Sequence, residues 1–153
     1  MMKRLVLFTL SLLCCLTMLC GCGGESITSY NFKGYAGEKI SIGEVSGSGY
    51  KVGHKGQTVV LLMKDKATIM EGYLDGDSLW TAATKTIESK KVEVIAHEDE
   101  KLIYKDGDKY TAVFMVPGAL SYVILEGRVT GDVTDDDIKT ALDNLRVDID
   151  LTE

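Results

Sequence analysis

Three stretches of this chain are apolar with almost no alternation. They are Gln57 to Lys64 (Gln-Thr-Val-Val-Leu-Leu-Met-Lys), Tyr110 to Val116, and Ser121 to Leu125. A strand with one wet face alternates apolar and polar side chains, whereas a strand buried on both faces does not. The chain must therefore build a sheet that is covered on both sides, at least at its centre. Pro117-Gly118 separates the second and third runs and marks a turn.

The other segments fit around that sheet. Residues 32–45 read as strand-like, with Ile40 and Ile42 alternating against Lys39 and Ser41. Ala67 to Leu74 returns from Gln57–Lys64 through Lys64-Asp65-Lys66 as a hairpin. Val92 to His97, Leu102 to Lys105 and Lys109 to Val116 read as strands, the last two joined by Asp106-Gly107-Asp108. Five glycines from Gly43 to Gly56 are not spaced as GxGxxG, and a strand rather than a helix follows, so this stretch reads as a mobile loop or wide hairpin.

Two helices are legible. The first starts near Asp77 and places Leu79, Ala82, Ala83, Thr86 and Ile87 on one face, with Trp80 beside it. The second has Thr134 as cap and Asp137 at the third position, and Ile138, Ala141, Leu142 and Leu145 keep helical spacing. Asp135, Asp136 and Asp137 suit the positive end of its dipole. The expected class is α+β: a twisted, mainly antiparallel sheet of about six to eight strands with two helices, as a three-layer α/β/α sandwich.

A faint repeat runs through this pattern. Residues 69–77 and 124–132 agree at five of nine positions with an offset of 55. Either an old duplication left it, or both segments solve the same strand-to-helix turn with Gly and a capping Asp. Turn chemistry selects such residues by itself, which favours the second reading.

The start of the chain specifies an address. Lys3-Arg4 precedes an apolar run from Leu5 to Leu19, which is short for a membrane span and is followed by Gly21, Gly23 and Gly24. This is the pattern of a secretory signal peptide. Its end, Leu19-Cys20-Gly21-Cys22, resembles the lipobox of bacterial lipoproteins, with Leu19 third before the cysteine and Gly21 just before it. Cys20 departs from the usual small hydroxyl or Ala. The resemblance implies cleavage between Gly21 and Cys22 and a diacylglyceryl group on the Cys22 thiol. It also places the protein outside the cytoplasm on a cell membrane, and it does not say whether that membrane is cytoplasmic or outer. Two acyl chains give stable anchoring where one does not. All four cysteines lie at or before Cys22, so the rest of the chain forms no disulfide. The expected organisation is a signal over 1–21, a flexible tether over 22–30 and one domain over 31–153.

Removing the leader leaves 15 basic against 23 acidic residues, a formal charge of −8 compared with −6 for the whole chain. That balance argues against nucleic acid and against a basic membrane-binding patch.

Chemistry-bearing residues are few. His54 and His97 are the only histidines, and no serine lies in a GxSxG or SxxK setting. His97-Glu98-Asp99-Glu100 gathers ligand types without zinc spacing, and Asp132 to Asp137 lacks the glycine of a calcium loop. No catalytic residue, metal site or cofactor is expected. The order of elements over 31–150, with one helix mid-chain and one at the end, is loosely similar to that of PsbP-like domains. That resemblance implies a non-catalytic accessory role beside a membrane complex. The expected function is a binding or accessory module of the cell envelope. The alternatives are a small lipid-anchored hydrolase and a small-solute-binding lipoprotein.

Overall fold

The computed structural model describes residues 24–150. The expected signal peptide over 1–21 and Cys22 lie outside the described residues, as do residues 151–153.

Among the described residues, ten strands and two helices follow in order: β1 (Ile27–Lys33), β2 (Lys39–Val45), β3 (Tyr50–Lys55), β4 (Val59–Lys64), β5 (Ala67–Asp75), α1 (Ser78–Ser89), β6 (Glu93–His97), β7 (Lys101–Asp106), β8 (Lys109–Met115), β9 (Tyr122–Arg128), α2 (Asp135–Asn144) and β10 (Leu145–Ile149). All strand pairs are antiparallel. They form a seven-stranded sheet of order β3-β4-β5-β9-β8-β7-β6 and a three-stranded sheet of order β1-β2-β10. The α+β class with mainly antiparallel sheet is thus observed. The strands divide between two sheets, which the apolar runs did not signal.

The layers follow from which face each strand turns inward. On β8, Tyr110, Ala112 and Phe114 enter a large core with Val60, Leu62, Val123 and Leu125 from the same sheet. Phe32, Ile40 and Ile42 of the small sheet and Ile138, Ala141 and Leu142 of α2 close that core from the other side. Val113 points the opposite way and meets Leu79 and Ala83 of α1 together with Leu102 and Tyr104. The order of layers is therefore α1, the large sheet, then α2 with the small sheet. Nineteen buried residues fill the first core and five the second. At about 1.5–3 kcal/mol for each fully buried large apolar side chain, the first core holds the fold and α1 is the weaker attachment.

Several expectations change at the boundaries. Ile27 to Tyr30 are not tether: they belong to β1, paired with Tyr30↔Ile42 through Ile27↔Val45. The strand-like stretch from 32 to 45 is a hairpin bent at residues 34–38. The glycine-rich stretch contains a strand, β3, rather than a loop throughout. Leu145 starts β10 and is not part of the second helix. The repeat also has another cause than the turn. Asp77 makes no capping bond to α1, and Thr134, not Asp132, caps α2. What the repeat encodes is the β5/β9 pair, where Glu71 stands opposite its own repeat-mate Glu126.

Candidate binding surface

The residues singled out as chemical do not converge. His54 lies on β3 and His97 on β6, the opposite edges of the seven-stranded sheet. Six strand spacings separate those edges, about 29 Å. His54 packs against the Tyr30 ring at 4.9 Å and donates from Nδ1 to the Gly56 carbonyl at 3.1 Å. Glu98-Asp99-Glu100 form the β6–β7 turn that follows His97, and Glu98 pairs there with Lys101. Among the described residues, no three His, Cys, Asp or Glu side chains are grouped so as to hold a metal ion.

The acidic stretch at the start of α2 has a structural use. Asp137 completes a capping box with Thr134, accepting from its backbone N–H and its hydroxyl at 2.9 Å each. It also accepts from Lys64 Nζ at 2.6 Å and Tyr50 Oη at 3.2 Å. Two residues earlier, Asp135 accepts from Lys105 Nζ at 2.5 Å and Tyr110 Oη at 2.6 Å. Tyr50 and Lys64 are cross-strand partners on β3 and β4, and Lys105 and Tyr110 are cross-strand partners on β7 and β8. Two lysine–tyrosine pairs thus grip two aspartates and seat the helix on the sheet. The Lys64 ammonium and the Thr134 donors hold the Asp137 carboxyl below its usual range. Lys105 and Tyr110 do the same for Asp135. Burial and the neighbouring Asp135 push the Tyr110 hydroxyl up.

A second polar joint lies at the other end of the sheets. Glu38 accepts from Ala36 N at 2.8 Å, Leu120 N at 2.7 Å and Ser121 Oγ at 3.1 Å. Ser121 Oγ in turn accepts from Tyr35 N at 2.8 Å. Glu38 therefore ties the β1–β2 turn to the β8–β9 turn. Tyr35 and Leu120 remain 64% and 69% exposed on those turns.

A concave surface with polar lining lies on the outward face of the small sheet. Its register sets side chains in rungs: Ser29–Gly43–Arg146, then Asn31–Ser41–Asp148. The middle strand offers only Gly43 and Ser41, while longer side chains stand on either flank. A trough of about 570 Å³ results. Arg146 is fixed at one end, with Nε and Nη2 donating to the Glu25 carboxylate at 2.9–3.0 Å and Nη1 donating to the Asp143 carbonyl at 2.9 Å. Lys39 pairs with Asp150 at 2.8 Å at the other end. Hydroxyls, an amide and a carboxylate share the lining with the exposed Ile27, so the trough offers hydrogen-bond partners along an extended ligand.

The pattern that builds this surface was present in the sequence. Leu145, Val147 and Ile149 alternate with Arg146 and Asp148, which is the signature of a half-buried strand. No protein-family model, no curated protein and no solved structure matches the chain. The likeness to PsbP-like domains therefore rests on the order of elements alone.

Proposed function

We propose that this chain is an exported lipoprotein anchored in a cell membrane through Cys22, and that its domain is a binding or accessory module of the cell envelope. The observation that carries the binding role is the polar trough across β1, β2 and β10. The Lys3-Arg4 signal and the Leu19–Cys22 lipobox support the anchor. With β1 starting at Ile27, only residues 23–26 lie between Cys22 and the fold. Four residues span about 14 Å at ~3.5 Å each. The trough begins at Ile27 and thus opens close to the bilayer, where a partner in the same membrane meets it. Its lining supports recognition of a polar segment of an envelope protein. A second reading, capture of a small polar solute, draws on the same volume.

The test combines metabolic labelling with palmitate and crosslinking in cells followed by mass spectrometry. The expected result is label on the wild type, none on Cys22→Ala, and a membrane partner captured only by the labelled protein. A Cys22→Ala protein that still takes up palmitate removes the anchor reading. A labelled, folded protein that captures no partner removes the accessory role and moves weight to the solute.

A further inference from the structure

Arg146 stands at one end of the trough with its guanidinium fixed from two sides. Nη1 donates to the Asp143 carbonyl at 2.9 Å and to the Leu145 carbonyl at 3.1 Å. Both acceptors are main-chain atoms, at the end of α2 and the start of β10, so they hold the group in place by themselves. The other edge of the fork, Nε and Nη2, grips the Glu25 carboxylate at 2.9–3.0 Å. That edge has the planar two-donor geometry that matches a carboxylate.

Glu25 is a loosely placed occupant. It lies ahead of β1, which starts at Ile27. The two side chains of the pair are 38% and 56% exposed. An ion pair this exposed contributes little, so exchanging its carboxylate for another costs little. The Nε–Nη2 edge is therefore a carboxylate receptor filled by an acid of the chain itself.

The rest of the trough selects what carries the acid. After the Ser29–Gly43–Arg146 rung comes Asn31–Ser41–Asp148, then Lys39 paired with Asp150. From Arg146 to Asp150 is ~13 Å at ~3.3 Å per strand residue, the span of about four extended residues. Asp148, one rung along, repels a second carboxylate. A bound chain thus lies one way only, with its acid on Arg146 and its peptide groups beside Ser29, Ser41 and Asn31. An acid at the end of an extended chain meets this requirement, because Arg146 is itself at the end of the trough.

We propose that the trough takes the free C-terminal carboxylate of an extended polypeptide on Arg146, and that Glu25 holds the place of that carboxylate until the ligand arrives. The inference rests on the trough being the binding surface and names the end group it recognises.

NMR titration of the purified protein tests it with acetyl-tetraalanine as the free acid and as its C-terminal amide. The acid is expected to shift the Arg146 Nε–H and the backbone amides of residues 29–31, 41–43 and 146–148, and to bind about tenfold tighter than the amide. Glu25→Gln should tighten the acid about threefold by removing its competitor. Arg146→Gln should erase the difference between acid and amide, and the wild-type comparison stands alone should that variant fold poorly. Equal affinity of acid and amide at these residues overturns the carboxylate receptor and leaves the trough as a binding surface. No shift there with either probe overturns both. Acid binding that Glu25→Gln weakens overturns the place-holding role. Acetate that binds Arg146 as tightly as the peptide acid overturns the extended ligand.

Discussion

Gly72 on β5 lies directly against the carbonyl of Ile124 on β9, where a Cβ would overlap the oxygen. Gly127 on β9 meets the carbonyl of Ile69 on β5 in the same way. The two contacts exchange under the 55-residue offset, so the repeat marks a local two-fold axis through the Glu71–Glu126 pair. The symmetry ends with the strands, since α1 and α2 leave for opposite faces of the sheet.

Gly72→Ala forces the two central strands apart. It should cost about 3 kcal/mol, the upper part of the range for overpacking a well-packed site. Gly127→Ala should cost about 2 kcal/mol, because the flexible Met70 side chain is one of its obstacles and can move. Urea unfolding of both variants checks this, and an unchanged midpoint for Gly72→Ala would refute the close approach.

Removing the Asp137 carboxylate breaks the reciprocal half of the α2 capping box and leaves the Lys64–Tyr50 pair without its acceptor. Asp137→Ala should lower Tm by about 5 °C or more. Asp136→Ala, one residue away on an exposed site with no bonded partner in the clamp, should change Tm by less than about 2 °C. A thermal melt of the two proteins side by side decides it.

The pH dependence of stability should have two limbs of opposite cause. Asp135 and Asp137 have folded pKa values depressed below 3.8, so their contribution is complete above that value and is lost progressively as pH falls from it through the folded values. Glu44 has a folded pKa raised from 4.5 to about 8. The folded state then binds more protons than the unfolded chain between those values, and stability declines as pH rises from 4.5 towards 8. Denaturation midpoints against pH should peak near pH 4–5 on these groups alone, and Glu44→Leu should flatten the alkaline side without touching the acid side.

Helix α1 should be the first element to open. Its side of the sheet buries few residues, and Asp77 at its start makes no capping bond. Its amides should exchange faster than those of β8, which lies in the sheet interior between β7 and β9. Equal protection in the two would mean the second core is stronger than its size indicates.

Glu38→Ala removes the acceptor shared by Ala36 N, Leu120 N and Ser121 Oγ. Stability should fall by about 1–3 kcal/mol, the range for losing hydrogen bonds to a charged acceptor. Cleavage by a protease within residues 117–121 should quicken at the same time.

Much of the architecture was written in local pattern. Uninterrupted apolar runs specified the doubly covered strands, and β8 has Tyr110 in one core and Val113 in the other. Thr134 and Asp137 specified the start of α2, because a capping box needs only residues three apart. The Asp106-Gly107-Asp108 and Lys64-Asp65-Lys66 turns were equally local. These features survive because short-range sterics and hydrogen bonding settle them.

Only tertiary structure could decide the rest. Glu44 continues the inward alternation of Ile40 and Ile42, but a charged residue at that position signals a wet face until the small sheet is seen lying on the core. Asp135 and Asp137 look like a metal loop or a solvated end until Lys64, Tyr50, Lys105 and Tyr110 arrive from four different strands. The trough needs β10 beside β2, a pairing of residues about 100 apart in the chain. Period and propensity report what each residue does with its neighbours in sequence. Burial, charge pairing and the division into two sheets depend on neighbours in space, and those were chosen by the packing of the whole chain.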